Sequence, residues 1–199
     1  MSDPETMAVY AEAAERYVSG VARAKSADEE IDLTGMVDAL PAGSRVLDLG
    51  CGPGHWSARM IEAGLITDAV DASPEMAALA KSEFGVDVRI ETFDTLTLNG
   101  PYDGVWANFS LLHAPRADMA GHLKRLHQET VPGGRLHLGM KLGKGEKRDD
   151  LGRLFTYYQE NELCTLVEAA GFHVQTTRRG HGSGLSGVPD TYIIVTAHA

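Results

Sequence analysis

Cysteine is scarce. Only Cys51 and Cys164 occur in 199 residues, and no CxxC pair exists. A structural zinc site, which takes four closely spaced ligands, has nothing here to use. No histidine pair stands at the i, i+4 spacing of a helical metal site; His122 and His127 are five apart. No metal site is expected. Long apolar runs are missing too: no stretch reaches the ~18 apolar residues that a membrane helix requires. The first twenty residues carry Asp3, Glu5, Glu12 and Glu15, which disfavours a secretory signal, so a cytoplasmic location is expected. Cations are in short supply. Lys and Arg number 18 against 28 Asp and Glu, for a net charge of -10. Affinity for nucleic-acid phosphates rests on Lys and Arg, so no nucleic-acid partner is expected. The segment 144–153 is the one candidate basic patch, and Glu146, Asp149 and Asp150 dilute it.

What remains is ordinary globular composition, 43% apolar and 23% charged. The length suits one domain, 1–199, with helices over 1–42 preceding a core over 43–199. Asp3-Pro4-Glu5 is a helix start: an N-cap, a proline at the first position and an acid in the first turn. Met7, Tyr10, Ala14, Tyr17 and Val21 then share one stripe. A second helix is expected over 28–40, stopped by Pro41-Ala42-Gly43. Val46-Leu47-Asp48-Leu49 is a short apolar run closed by glycines, as for a strand buried on both faces. Helices over 55–63, 73–84, 115–130 and 160–170 are predicted to alternate with strands over 66–70, 86–90, 102–107 and 135–140. Two further strands, 172–178 and 191–197, follow the last helix, and Gly180-His181-Gly182-Ser183-Gly184 reads as a flexible connection between them. Residues 144–153 read as a solvated loop. Alternating strands and helices predict a doubly wound α/β fold, with a mainly parallel sheet between two helical layers.

In such a sheet the ligand sits beyond the carboxyl ends of the strands, where strand order reverses. The turn Gly50-Cys51-Gly52-Pro53-Gly54 falls there. A dinucleotide site usually reads GxGxxG/A and places a pyrophosphate on the helix N-terminus. Here the sixth position is His55, followed by Trp56, and Asp48 stands two residues before the first glycine. An acid so placed is unfavourable beside a pyrophosphate. It is favourable beside an ammonium and a sulfonium. S-adenosylmethionine has both, and a ribose whose hydroxyls a carboxylate such as Asp71 can accept.

The nine residues from Val46 to Gly54 resemble the first motif of the class I S-adenosylmethionine-dependent methyltransferases. Val70-Asp71-Ala72-Ser73-Pro74-Glu75-Met76 is similar to their second. Phe93-Asp94, residues 102–108 and Pro132-Gly133-Gly134 resemble later family regions, in the right order. The overall look is similar to small bacterial methyltransferases of the tellurite-resistance or quinone-methylating kind. The resemblance implies a Rossmann-like seven-stranded sheet in a three-layer αβα sandwich, its last strand antiparallel. It implies S-adenosylmethionine as methyl donor and S-adenosylhomocysteine as product. It places Gly50, Cys51 and Gly52 against the methionine part and Asp48 toward the amino group. Asp71 and Ala72 fall to the ribose, Met76, Phe93 and Asp94 to the adenine, and Asn108 to the end of the fourth strand. Tyr10 and Tyr17 would come from an N-terminal helix covering the donor.

His113 stands in the loop after the fourth strand, where a side chain titrating near neutrality could act as general base; lining the pocket or capping a turn is the plainer role. Tyr157 and Tyr158 are candidate substrate contacts or core packing. Cys164 reads as core, and His181 cannot be placed. The Asn-Pro-Pro-Tyr type of motif found in amino-group methylating enzymes is replaced by Asn108-Phe109-Ser110-Leu111. A small-molecule acceptor is therefore expected, handled by a monomer or homodimer. Two other readings stay open: a non-catalytic binding protein for the same ligand, and a nicotinamide-dependent oxidoreductase.

Overall fold

A computed structural model describes residues 3–21 and 27–199; the side chains of 14–21 and 27 lie outside that description. The chain order is α1 (Pro4–Val21), α2 (Ala27–Asp38), β1 (Arg45–Leu49), α3 (His55–Glu62), β2 (Ile66–Asp71), α4 (Pro74–Phe84), β3 (Val88–Ile90) and β4 (Tyr102–Asn108). A 3-10 turn (Leu111–His113) leads to α5 (Met119–Gln128), β5 (Thr130–Lys141), β6 (Gly145–Arg148), β7 (Leu154–Tyr157), α6 (Glu160–Ala169), β8 (His173–Ser183) and β9 (Pro189–His198).

Local chemistry accounts for the boundaries. The Asp3 carboxylate caps α1, accepting from the Thr6 N–H at 2.8 Å and the Thr6 hydroxyl at 2.6 Å. Ser73 caps α4 by accepting from the Met76 N–H at 3.2 Å, and Gly85 ends that helix at φ +70°.

Seven strands form one sheet in the order β3-β2-β1-β4-β5-β9-β8. The first five run parallel; β9 is antiparallel to both β5 and β8. Leu33, Met36, Trp56 and Met60 of α2 and α3 pack with Val46 and Trp106 on one face of the sheet. Met119, Leu123, Leu126, Leu163 and Val167 of α5 and α6 pack on the other, against Leu47, Val105, Leu136 and Val195. β1 is buried on both sides, its apolar residues and Asp48 alike. β1 and β4 are central neighbours whose connections leave to opposite faces, and this is the switch point. Among the described residues no helix is long and apolar enough to cross a membrane.

Three expectations are corrected. The segment 144–153 is not all loop: Gly145–Arg148 forms β6, paired antiparallel with β7. Its side chains are all exposed, so no apolar alternation marked it, and backbone bonding to the buried β7 holds it. The glycines at 180 and 182 do not interrupt structure. They belong to β8, where the Tyr192 ring lies on Gly180 so closely that a Cβ there would come 2.2 Å from its Cζ. The helix expected from Pro115 begins at Met119; residues 115–118 close a separate turn first, with the Asp118 N–H donating to the Pro115 carbonyl at 3.0 Å.

Candidate functional site

The turn after β1 is held by its own amides. The Gly50 and Cys51 N–H groups both donate to the Val70 carbonyl, at 2.8 and 3.0 Å. The Gly52 N–H donates to the Asp71 carboxylate at 2.8 Å, and the Gly54 N–H to the Cys51 carbonyl at 3.1 Å. Pro53 has no N–H. An anion-binding glycine loop needs free N–H groups aimed outward. This loop has spent four of its own internally.

Beyond it lies a cleft of about 820 Å3, solvent mouth included. It runs along the carboxyl ends of the strands. β1 contributes Leu49, Gly50 and Gly52; β2 contributes Val70, Asp71, Ala72 and, through the next turn, Ser73 and Met76. Glu91 and Phe93 follow β3, and Asn108 to Ser110 with His113 follow β4. At about 4.8 Å per strand, four neighbouring strand ends give a floor of roughly 14 Å. Asp3, which caps α1, and Thr6, Met7 and Tyr10 of that helix form the opposite wall.

The charges lining the cleft have one sign. Asp3, Asp71 and Glu91 line it, and no Lys or Arg does among the described residues. Asp3 is paired with Arg148 at 2.7 Å, and Glu91 with Arg89 at 2.5 Å. Among the described residues Asp71 has no cationic partner in an ion pair; its oxygens accept from the Gly52 and Ser73 N–H groups, at 2.8 and 2.9 Å, and the Ala72 N–H also favours its charged form. Burial raises its pKa, partly offset by those bonds. Behind the loop Asp48 is 2% exposed and accepts from the Ser57 hydroxyl at 2.5 Å. Burial pushes its pKa up to about 7, with the Asp71 charge adding to the rise and the Ser57 bond opposing it.

A polar clasp joins the α1 wall to the β6–β7 hairpin. Arg148 holds Asp3, and the Leu154 N–H donates to the Thr6 hydroxyl at 2.8 Å. Arg153 is buried, held by Asp149 at 2.6 Å, and donates to the Tyr10 hydroxyl at 3.1 Å. The Tyr10 hydroxyl also meets His113 Nε2 at 2.8 Å, while His113 Nδ1 meets the Leu154 carbonyl at 2.7 Å. A carbonyl can only accept, so Nδ1 carries the proton and the phenol donates to Nε2. Burial pushes the His113 pKa down to about 4, so the ring is neutral at pH 7. Tyr10 is thereby fixed with its hydrogen spent on His113.

The structure brings Gly50, Gly52, Asp71, Ala72, Met76, Phe93, Asn108, Tyr10 and His113 to one cleft. It does not bring Asp48, Cys51, Asp94, Tyr157 or Tyr158 to its surface. Asp48 and Cys51 lie behind the loop, 2% and 5% exposed. Tyr157 and Tyr158 are buried beneath the hairpin: Tyr157 packs on Gly143, and the Arg116 guanidinium covers the Tyr158 ring at 4.3 Å. Tyr17 is in α1, and its side chain lies outside the described residues. Sequence reasoning missed Asp3, Thr6, Met7, Glu91, Phe109 and Ser110. Only Glu91 carried a signal, as an acid directly after a strand. Phe109 has φ +57°, a conformation rare for a bulky residue and found at sites the surrounding fold enforces.

Three comparisons agree with this geometry. Residues 46–134 match the family model described as a methyltransferase domain. The ubiquinone biosynthesis O-methyltransferase of Xanthomonas axonopodis pv. citri is 34% identical over 105 residues, covering 49% of this chain and 43% of that protein. The chain thus spans less than half the length of that curated relative. The 1,6-didemethyltoxoflavin-N1-methyltransferase of Burkholderia thailandensis, solved with 1,6-didemethyltoxoflavin and S-adenosylhomocysteine, superposes with a TM-score of 0.73 at 25% identity, covering 100% of this chain and 91% of that one. A TehB-like S-adenosylmethionine-dependent methyltransferase of Corynebacterium glutamicum shares the fold, with a TM-score of 0.70 at 15% identity over 96% and 98% of the two chains. The fold is thus the Rossmann-like one of these methyltransferase structures. Over residues 46–134 the chain is similar to methyltransferase domains, and over its whole length it shares the fold of S-adenosylmethionine-dependent methyltransferases.

Proposed function

We propose that the cleft binds S-adenosylmethionine and that the chain transfers its methyl group to a small-molecule acceptor, releasing S-adenosylhomocysteine. One observation carries this reading. The cleft is lined by carboxylates without Lys or Arg among the described residues, and the loop that would cradle a phosphate has its amides spent. A site of that charge attracts a cation and repels a pyrophosphate, which weighs against the nicotinamide-dependent reading.

The residues present fit the ligand. The backbone of Gly50, Cys51 and Gly52 faces the methionine part. Asp71 keeps lone pairs for two ribose hydroxyls, since each carboxylate oxygen accepts more than one bond. Ala72 lies beside the ribose, and Met76 and Phe93, with Asp94 beside them, take the adenine. Asn108 and Tyr10 close the methionine end, with Tyr17 further along α1. Asp48 stands behind the loop on the side of the donor's amino group. When bound, the sulfonium supplies an already activated methyl carbon. The protein's own work is to align an acceptor with that carbon and exclude water, and such positioning can supply roughly 7–11 kcal/mol. The clasp between α1 and the hairpin provides the cover. His113, as a neutral ring whose Nε2 already accepts from Tyr10, is a weak base and serves best by holding that phenol.

The relatives are named for an oxygen and a nitrogen acceptor respectively, so the acceptor atom is left open. The net charge of -10 favours a small metabolite over nucleic acid, taken up in the cytoplasm by a monomer or homodimer. The test is mass spectrometry of a metabolite extract incubated with the protein and isotopically labelled methyl donor. A labelled small metabolite is the expected product. Donor binding with no labelled product in any extract would instead make this a non-catalytic binding protein.

A further inference from the structure

Ser110 is 7% exposed, lines the floor of the cleft, and its hydroxyl has no hydrogen-bond partner among the described residues. A buried hydroxyl without a partner is costly, and native structures keep few of them. Nothing in its packing explains the choice of serine over alanine. The site around it is tightly built. A Cβ on Gly50 would come 2.3 Å from Ser110 Cβ, so the two backbones meet only because position 50 is glycine. The preceding residue, Phe109, is held at φ +57° to deliver Ser110 to that contact.

The other side-chain hydroxyls of the cleft are committed. The Thr6 hydroxyl donates to Asp3, Tyr10 to His113, and Ser73 to Glu75. The Asn108 amide oxygen accepts from His137 Nε2 at 3.0 Å. The loop amides are spent. In a cleft lined by carboxylates, a ligand carboxylate therefore finds few donors, and the Ser110 hydroxyl is the uncommitted one beside Gly50.

We propose that Ser110 recognises the donor's amino-acid end: its hydroxyl donates to the carboxylate and so selects ligands carrying that group over the bare nucleoside thioether. This rests on the reading of the cleft as an S-adenosylmethionine site. Ser110 is then a binding residue that costs the empty protein stability.

The test is calorimetric titration of the wild type and Ser110→Ala with S-adenosylhomocysteine and with 5′-methylthioadenosine, which lacks the amino-acid end. Ser110→Ala should weaken S-adenosylhomocysteine about 10- to 100-fold, the range for a hydrogen bond to a charged group. It should leave 5′-methylthioadenosine within about twofold. The Tm of the empty variant should equal or exceed that of the wild type, because an unpartnered buried hydroxyl has gone. Unchanged affinity for S-adenosylhomocysteine, or an equal loss for both ligands, overturns the inference while leaving the cleft assignment standing. A wild type that binds neither ligand overturns both.

Discussion

Gly50→Ala tests the junction on which the cleft is built. Gly50 sits at φ +72°, where a residue with a Cβ costs about 1–2 kcal/mol. The new methyl group would also stand 2.3 Å from Ser110 Cβ and 3.5 Å from its Cα. Neither atom can swing aside as a flexible side-chain end would, and overpacking of this kind costs about 1–3 kcal/mol. The sum is about 2–5 kcal/mol, a large part of the ~5–15 kcal/mol that typically holds a domain folded. Gly64 supplies the control. It too has positive φ, +87°, but a Cβ there meets nothing within 4 Å. Gly64→Ala should lose only the backbone part, about 1–2 kcal/mol. Urea denaturation of both variants measures the difference directly. Adding Ser110→Gly to Gly50→Ala removes the atom in the way and should restore much of the excess loss. If Gly50→Ala costs no more than Gly64→Ala, the close approach of β1 and β4 ends is not what the glycine is for.

Four further outcomes follow from the same structure. The Asp48 pKa stands at about 7, above its ordinary 3.8, so the fold favours the protonated acid. That stability is complete below pH 4 and is lost between pH 4 and 7, at about 1.4 kcal/mol per pH unit; Asp48→Asn should flatten the decline in Tm across this window. His137 runs the other way. Burial pushes its pKa down to about 3, so stability falls as pH drops below about 6.5, and His137→Phe should resist acid unfolding better than the wild type. Tyr10→Phe leaves Arg153 and His113 Nε2 each short of one partner, and denaturation should show a loss of about 1–3 kcal/mol. Arg148→Ala opens the exposed end of the clasp; it should leave the urea midpoint nearly unchanged yet expose α1 to limited proteolysis.

Much of the fold was legible because local signals agreed with tertiary ones. β1 announced itself by an apolar run that needed burial on both faces, and α4 by Ser73 before Pro74 and Gly85 after Phe84. The β6–β7 hairpin was not legible. Gly145-Glu146-Lys147-Arg148 has the composition of a solvated loop, and only pairing to the buried β7 makes it a strand. Half of β8 was legible as a strand over 172–178; its continuation through Gly180 was not, since that glycine is there for the Tyr192 ring that crosses it. The site divides likewise. Gly50, Gly52 and Asp71 lie within one strand-turn-helix-strand unit and could be read as a pattern. Tyr10 and His113 are 103 residues apart and meet only after α1 folds over the sheet. Ser110 carried no sequence signal, because what sets it apart is a partner it lacks.

The charge of the cleft is the centre of the account, and isothermal titration of the pure protein with S-adenosylmethionine, S-adenosylhomocysteine and NAD tests it most directly. The two adenosyl compounds should bind with one site per chain, and NAD should show no heat of binding. Binding of NAD without either adenosyl compound would mean that carboxylates and spent amides do not choose the ligand, and the assignment of the cleft would fall.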